Sequence, residues 1–169
     1  TSLVDLPADG IGAVWGKLYR NSFLKNNNIH FLNERIIGED LPFSFVSYFF
    51  TQIISFGPQA TYYYRMHGEG WDGKQDETVL NIFKALKYVR SLYKKLDPFC
   101  SREQLIVCLL VKHVAYNYTK LVRADNPDAK LISKYKAEAK SILSYPSDLV
   151  INNKYLDQDA KNFYLELNK

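Results

Sequence analysis

Cysteine is scarce in this chain. Its 169 residues hold two, Cys100 and Cys108, each in an apolar neighbourhood. That excludes a disulfide framework and makes a reduced, cytosolic setting the default expectation. Long hydrophobic runs are also lacking. No stretch reaches the roughly 18 apolar residues of a membrane span, and the first residues show no signal-peptide pattern. Neither sign of charge is in large excess. The 22 Lys and Arg against 18 Asp and Glu leave +4, too little to argue for nucleic acid. This balance fits a phosphate-bearing ligand or an anionic membrane surface equally well. Methionine occurs once, at Met66, and the chain opens on Thr1, so a piece of a longer polypeptide is expected. No internal repeat or low-complexity segment is present.

What is present is a packed-core composition. Apolar residues make up 47% of the chain and aromatics 15%, which suits one domain or one and a half. Tyrosine is abundant, and its apolar body with a polar tip suits clefts and interfaces.

The pattern changes near residue 74. Before it, Ala13–Tyr19, Gln52–Phe56 and Thr61–Arg65 are expected as strands from alternation and β-branched or aromatic content. A short helix is expected over Arg20–Lys25, stopped by Asn26–Asn28, and a longer one over about 40–51. Gly68, Gly70 and Gly73 surround Trp71 in a loop. After residue 75 the period is helical. Asp76 is placed to cap a helix striped by Val79, Ile82, Phe83, Leu86, Val89, Tyr93 and Leu96. Ser101–Gln104 fits a capping box ahead of Leu105–Val111, a segment apolar all round and therefore expected at the centre of a bundle. Asn126-Pro127 is expected to open a third helix, and 155–167 a last one. The fold class read from this pattern is α+β, mainly α: a partial α/β segment over 1–74, then an antiparallel helical bundle over 75–169.

The chemistry is concentrated at Gly38-Glu39-Asp40-Leu41-Pro42-Phe43. Two adjacent carboxylates stand immediately before an apolar helix. Asp40 suits an N-cap, and Pro42 is tolerated in the first turn. The positive end of the helix dipole should keep the Asp40 carboxylate ionised. An ionised, positioned carboxylate can accept a proton from a substrate hydroxyl. Two readings stand together, a plain cap, which is commoner, and a general base.

Four blocks in order carry a resemblance: Val14-Trp15-Gly16-Lys17-Leu18-Tyr19-Arg20-Asn21-Ser22-Phe23-Leu24, Ile29-His30-Phe31, Gly38-Glu39-Asp40-Leu41-Pro42-Phe43, and Tyr62-Tyr63-Tyr64-Arg65. Over about residues 10–70 the chain resembles the C-terminal half of the catalytic domain of bacterial family 2 glycosyltransferases. These include capsule and cell-wall polysaccharide transferases. Residues 75–169 resemble, more loosely, their helical extension. The resemblance implies a GT-A type, Rossmann-like α/β domain that uses a nucleotide-diphosphate sugar and a divalent metal, Mg or Mn. The nucleotide-binding half, with its Asp-x-Asp metal motif, would precede Thr1, so the isolated chain is expected to be inactive.

By position the resemblance makes Asp40 the catalytic base and Glu39 its acidic partner, in an inverting transfer to an acceptor hydroxyl. It places Arg65 and His67 near the donor diphosphate. Arg65 suits a phosphate through bidentate hydrogen bonds, and His67 is a candidate metal ligand or a plain polar residue. Trp71 is a candidate for sugar stacking and a lid, or for pinning its loop. Lys17 is a candidate near the acidic pair, Trp15 a packing residue, and His30 and His113 structural. The segment Met66–Trp71 departs from the short Gly-Ser motif often found there.

The implied partners are a nucleotide sugar and a glycan or lipid-linked acceptor, at the cytoplasmic face of the membrane. A second class of function is a non-catalytic helical module. It would dock on anionic lipid or a partner subunit through the basic residues from Lys84 to Lys95 and from Lys130 to Lys140.

Overall fold

A computed structural model describes residues 12–34, 36–55, 57, 62, 63, 65 and 76–169. Among these residues the chain forms seven α-helices: α1 (Asn21–Asn26), α2 (Asp40–Phe50), α3 (Ile82–Leu96), α4 (Glu103–Val122), α5 (Ala129–Ile142), α6 (Ser147–Ile151) and α7 (Gln158–Leu167). A 3-10 turn, Glu77–Asn81, leads into α3.

The all-round apolar segment Leu105–Val111 dictates the centre. Each of its seven residues is 5% exposed or less, because α3, α5, α6 and α7 all pack against α4. Burial of this kind contributes about 1.5–3 kcal/mol for each large aliphatic side chain. α4 is long and apolar enough to cross a membrane by length and composition. Here Leu105–Val111, Val114 and Leu121 are buried against other helices, while Tyr116 and Val122 are exposed.

α3 buries Ile82, Phe83, Ala85, Leu86, Val89 and Tyr93, the stripe expected from its period. α5 buries Leu131, Tyr135, Ala139 and Ile142. The Tyr135 hydroxyl, fully buried, donates to the Val114 carbonyl at 2.9 Å, so its desolvation is compensated. Three ties register α3 and the 3-10 turn before it beside α5: Lys134 with Glu77 of the turn, Lys87 with Glu138 at 2.7 Å, and Arg90 Nη1 with the Ile142 carbonyl at 3.1 Å. The paired numbers rise together, so the two helices run in the same direction. The short loops at either end make α4 return between them.

Helix starts are fixed by carboxylates more than by the sequence patterns expected. Asp76 accepts from Thr78 N at 2.8 Å and caps the 3-10 turn, one step before α3. α5 opens at Asp128, which accepts from Lys130 N at 2.8 Å and Leu131 N at 3.1 Å, and not at Asn126-Pro127. α7 opens at Asp157, which accepts from Ala160 N at 2.8 Å. The capping box at Ser101–Gln104 does not form. α4 starts with Arg102 in the cap position and no side-chain cap bond. The buried Asp97 carboxylate accepts from Ser101 N, Ser101 Oγ and Arg102 N at 3.1, 2.7 and 2.8 Å instead. The last connection holds α6, which was not expected. It also holds the buried Asn153, whose amide donates to the Gln104 carbonyl at 2.7 Å. Cys108 is buried but Cys100, at φ 55°, is exposed, which corrects its apolar placement.

The larger correction concerns strands, because none forms among the described residues. Ala13–Tyr19 is an irregular strap with a turn at Trp15-Gly16. Gly16 takes φ +69°, a left-handed conformation that ends extended backbone. The Val14 amide and the Gly12 carbonyl just before the strap bond to side chains of α2, not to a neighbouring strand. Gln52–Ser55 is likewise irregular, with Phe56 outside the described residues. Of the Tyr-rich block, Tyr62, Tyr63 and Arg65 are described, exposed and without regular structure. The molecule is therefore mainly α. α2 packs on α3, and Ile36, Leu41 and Phe45 join the same core as α3 and α4.

Candidate functional site

The site is built where the strap of residues 12–20 crosses the start of α2. α2 is an apolar helix with one polar stripe, Asp40, Ser44 and Tyr48, at the i, i+4, i+8 spacing that shares a face. The strap touches all three. Ser44 Oγ donates to the Gly12 carbonyl at 2.6 Å. Val14 N donates to Asp40 Oδ2 at 3.4 Å. Lys17 lies with its ammonium 5.8 Å from the centre of the Tyr48 ring, and its Nζ donates to the Ala13 carbonyl. Aromatic contacts fix the strap's far end. Tyr19 meets Phe43 edge-on at 5.2 Å, and Phe31 stacks on the other side of this cluster with Phe43 at 4.4 Å.

Gly38 sets where the acidic pair stands. It has φ +77°, and a Cβ there would come within 2.6 Å of Ile82 Cδ1. The turn before α2 is thus pressed on α3 at a position that needs both the left-handed conformation and the missing side chain. Glu39 follows as the N-cap residue, exposed, with no side-chain cap bond.

Asp40 begins α2 but makes no side-chain bond to the helix's own amides. Its carboxylate faces back across 26 residues to Val14 instead. The cap reading is therefore not realised, which leaves the carboxylate oriented towards the strap. The helix terminus is not what dominates its acidity. Burial pushes the Asp40 pKa above the ordinary carboxylate value, and Glu39 adds to this. The Val14 hydrogen bond and Lys17 oppose it without prevailing. Lys17 is lowered from its usual value, chiefly by burial, with Asp40 opposing.

Tyr19 and Tyr48, which sequence reasoning did not single out, belong to the same cluster. Burial raises both, Tyr48 to about 12. The Tyr19 hydroxyl is buried without a hydrogen bond of ordinary geometry, while Ser44 beside it partly offsets the rise and Asp40 adds to it. The signal that could have found Ser44 and Tyr48 was their four-residue spacing from Asp40 in a helix whose one other polar side chain is Ser47.

The other candidates fall elsewhere. Arg65 is exposed and makes no hydrogen bond or ion pair with described residues. His67 and Trp71 lie outside the described residues. His30 is exposed, its Nδ1 3.0 Å from the Asn28 carbonyl. His113 sits inside α4, its Nδ1 2.8 Å from the Leu109 carbonyl, and burial lowers its pKa. Among the described residues no three His, Cys, Asp or Glu side chains converge as metal ligands.

What the cluster can do is accept a proton. A half-buried carboxylate with a raised pKa is a stronger base than an exposed one, and the partly desolvated Lys17 beside it favours its ionised form. Comparison with protein-family models, curated proteins and solved structures finds no match.

Proposed function

We propose that the chain is the acceptor-side part of an inverting glycosyltransferase of family 2 type. It would move a sugar from a nucleotide-diphosphate sugar to an acceptor hydroxyl, in bacterial surface polysaccharide synthesis at the cytoplasmic face of the membrane. The GT-A-like character of residues 1–74, with helices 75–169 as its extension, is part of this proposal. The four-block resemblance supports it. The observation that carries it is the Asp40 carboxylate, released from capping its own helix and held half-buried against the strap.

In this reading Asp40 takes the proton of the acceptor hydroxyl as that oxygen bonds to the anomeric carbon. The bond from that carbon to the donor diphosphate breaks on the opposite face, and the nucleotide diphosphate leaves with the electron pair. Configuration inverts. Lys17 and the Val14 amide keep Asp40 ionised and aimed before the transfer, and Glu39 raises its basicity.

The test is transfer of labelled sugar from nucleotide sugars by the chain joined to the upstream half that the resemblance implies. Asp40→Asn should lower kcat roughly 10²–10⁴-fold. Unchanged turnover in that variant would sink the assignment. The docking module has less support. Lys87, Arg90 and Lys134 of its basic faces are engaged by Glu138, the Ile142 carbonyl and Glu77 within the bundle.

A further inference from the structure

Ser44 is buried on α2, one helical turn beyond Asp40. A hydroxyl inside a helix commonly turns back to the carbonyl four residues earlier. Thr51 and Thr119 do so, donating to the Ser47 and Ala115 carbonyls at 2.6 and 2.9 Å. Ser44 instead reaches out of its helix, across 32 residues, and donates to the Gly12 carbonyl at 2.6 Å. Ser47, on the same helix and just as well buried, has a hydroxyl with no hydrogen-bond partner. Burial of a serine on α2 thus does not by itself produce such a tie.

Gly12 stands two residues before Val14. The Gly12 carbonyl meets Ser44 and the Val14 amide meets Asp40, one turn apart on the same helix. A turn rises about 5.4 Å, and two residues of extended chain cover about 6.6 Å, so both contacts fit one register. Their strengths differ. At 3.4 Å the Val14 amide is near the long limit of a hydrogen bond and holds the strap weakly. The short bond from Ser44 is the stronger of the two. Stacking of Trp15 on Tyr62 and the edge-on contact of Tyr19 with Phe43 fix later parts of the strap, whereas Ser44 fixes its beginning. With its proton committed to Gly12, the Ser44 oxygen also keeps acceptor capacity for the buried Tyr19 hydroxyl beside it. The charged groups acting on Asp40 are Glu39 and Lys17, and Tyr19 is the neutral titratable group near it. From the other side α3 turns Ile82 and Ala85 to the Gly38 turn.

We infer that Ser44 is a positioning residue for Asp40: by holding the Gly12 carbonyl it keeps the Val14 amide on the carboxylate that takes the acceptor's proton. Its part in transfer rests on the glycosyltransferase reading above, but its geometry is read without turnover. The 169-residue chain, labelled with 15N, is titrated from about pH 4 to about pH 8, through the carboxylate range. The Val14 amide resonance should move as Asp40 ionises, because a carboxylate is the stronger acceptor. Asp40→Asn should abolish that movement. Ser44→Ala should reduce it roughly by half or more and speed exchange of the Val14 amide with solvent roughly two- to tenfold, as for loss of one hydrogen bond. Ser47→Ala, which removes a buried hydroxyl from the same helix, should change neither. Should Ser44→Ala fail to fold, Ser44→Cys, of similar shape but a weak donor, should show the same two changes in smaller degree. A Val14 movement equal to the parent's in the folded Ser44 variant, or an equal loss in Ser47→Ala, overturns the role. Asp40→Asn also separates the two readings. Transfer retained in that variant would fell the base assignment, while the Val14 result, obtained without substrate, would stand.

Discussion

Asp40 is held in a way that opposes stability, and this has a measurable sign. Its pKa is raised in the folded state, first by burial. The folded protein therefore binds that proton more tightly than the unfolded chain does. The resulting penalty is in force above the folded pKa and fades as pH falls towards the unfolded value of about 3.9. Asp40→Asn removes the charge but keeps an oxygen for the Val14 amide. The variant should be at least as stable as the parent at pH 7, and that advantage should vanish near pH 4, by denaturant unfolding at the two pH values. A carboxylate that only capped α2 would give the opposite result, a loss of about 0.5–2 kcal/mol at neutral pH. Asp97 has the opposite sign. Burial raises its pKa, but hydrogen bonds from Ser101 and Arg102 outweigh this and hold it low. Its stabilisation is present above the unfolded pKa and is lost as pH falls through the folded one. Asp97→Asn should cost about 1.5–3 kcal/mol at pH 7, the range for bonds to a charged group, and progressively less as acid protonates the parent's carboxylate. Equal losses at both pH values would remove Asp97 from that role.

At the scale of elements, Gly38 is the residue that joins sequence to site. It was visible only as the start of a motif. The need for it is set by a contact with Ile82, 44 residues away, which no local pattern encodes. Gly38→Ala should destabilise by about 1–3 kcal/mol, from a left-handed φ that alanine resists together with displacement of Ile82 Cδ1. A cost within 0.5 kcal/mol of zero would show that the turn relaxes freely. The same locality explains what was legible. The boundaries of α2 and the stripes of α3 and α5 follow from side-chain period, which is a property of the segment itself. The stretch 13–19 has alternation too, but a strand also needs a partner edge. The Val14 amide found an α2 side chain, Asp40, instead. Asn126-Pro127 and Ser101–Gln104 carried valid start signals, yet Asp128 and Asp97 offered the stronger acceptors. Of the site, Asp40, Glu39 and Lys17 could be named in advance, whereas Tyr19 reached it only through the course of the strap over α2.

For the whole molecule, the open matter is whether the segment bearing Asp40 folds with the bundle or beside it. Composition changes near residue 74, which invites a division there. The core does not follow that change. Ile36, Leu41 and Phe45 are buried in one cluster with α3 and α4, and Phe45 is 4% exposed. A shared core couples its parts, so unfolding should be a single cooperative event. Phe45→Ala should then lower the stability of the entire chain by about 3–4 kcal/mol. Far-UV dichroism, dominated by α3, α4 and α5, should shift its denaturation midpoint as far as tryptophan fluorescence, which reports Trp15 and Trp71. If the dichroism midpoint stays fixed while fluorescence moves, the strap and α2 are an independent unit resting on the bundle. Coincident shifts would mean that the geometry of Asp40 draws on the stability of helices more than forty residues downstream.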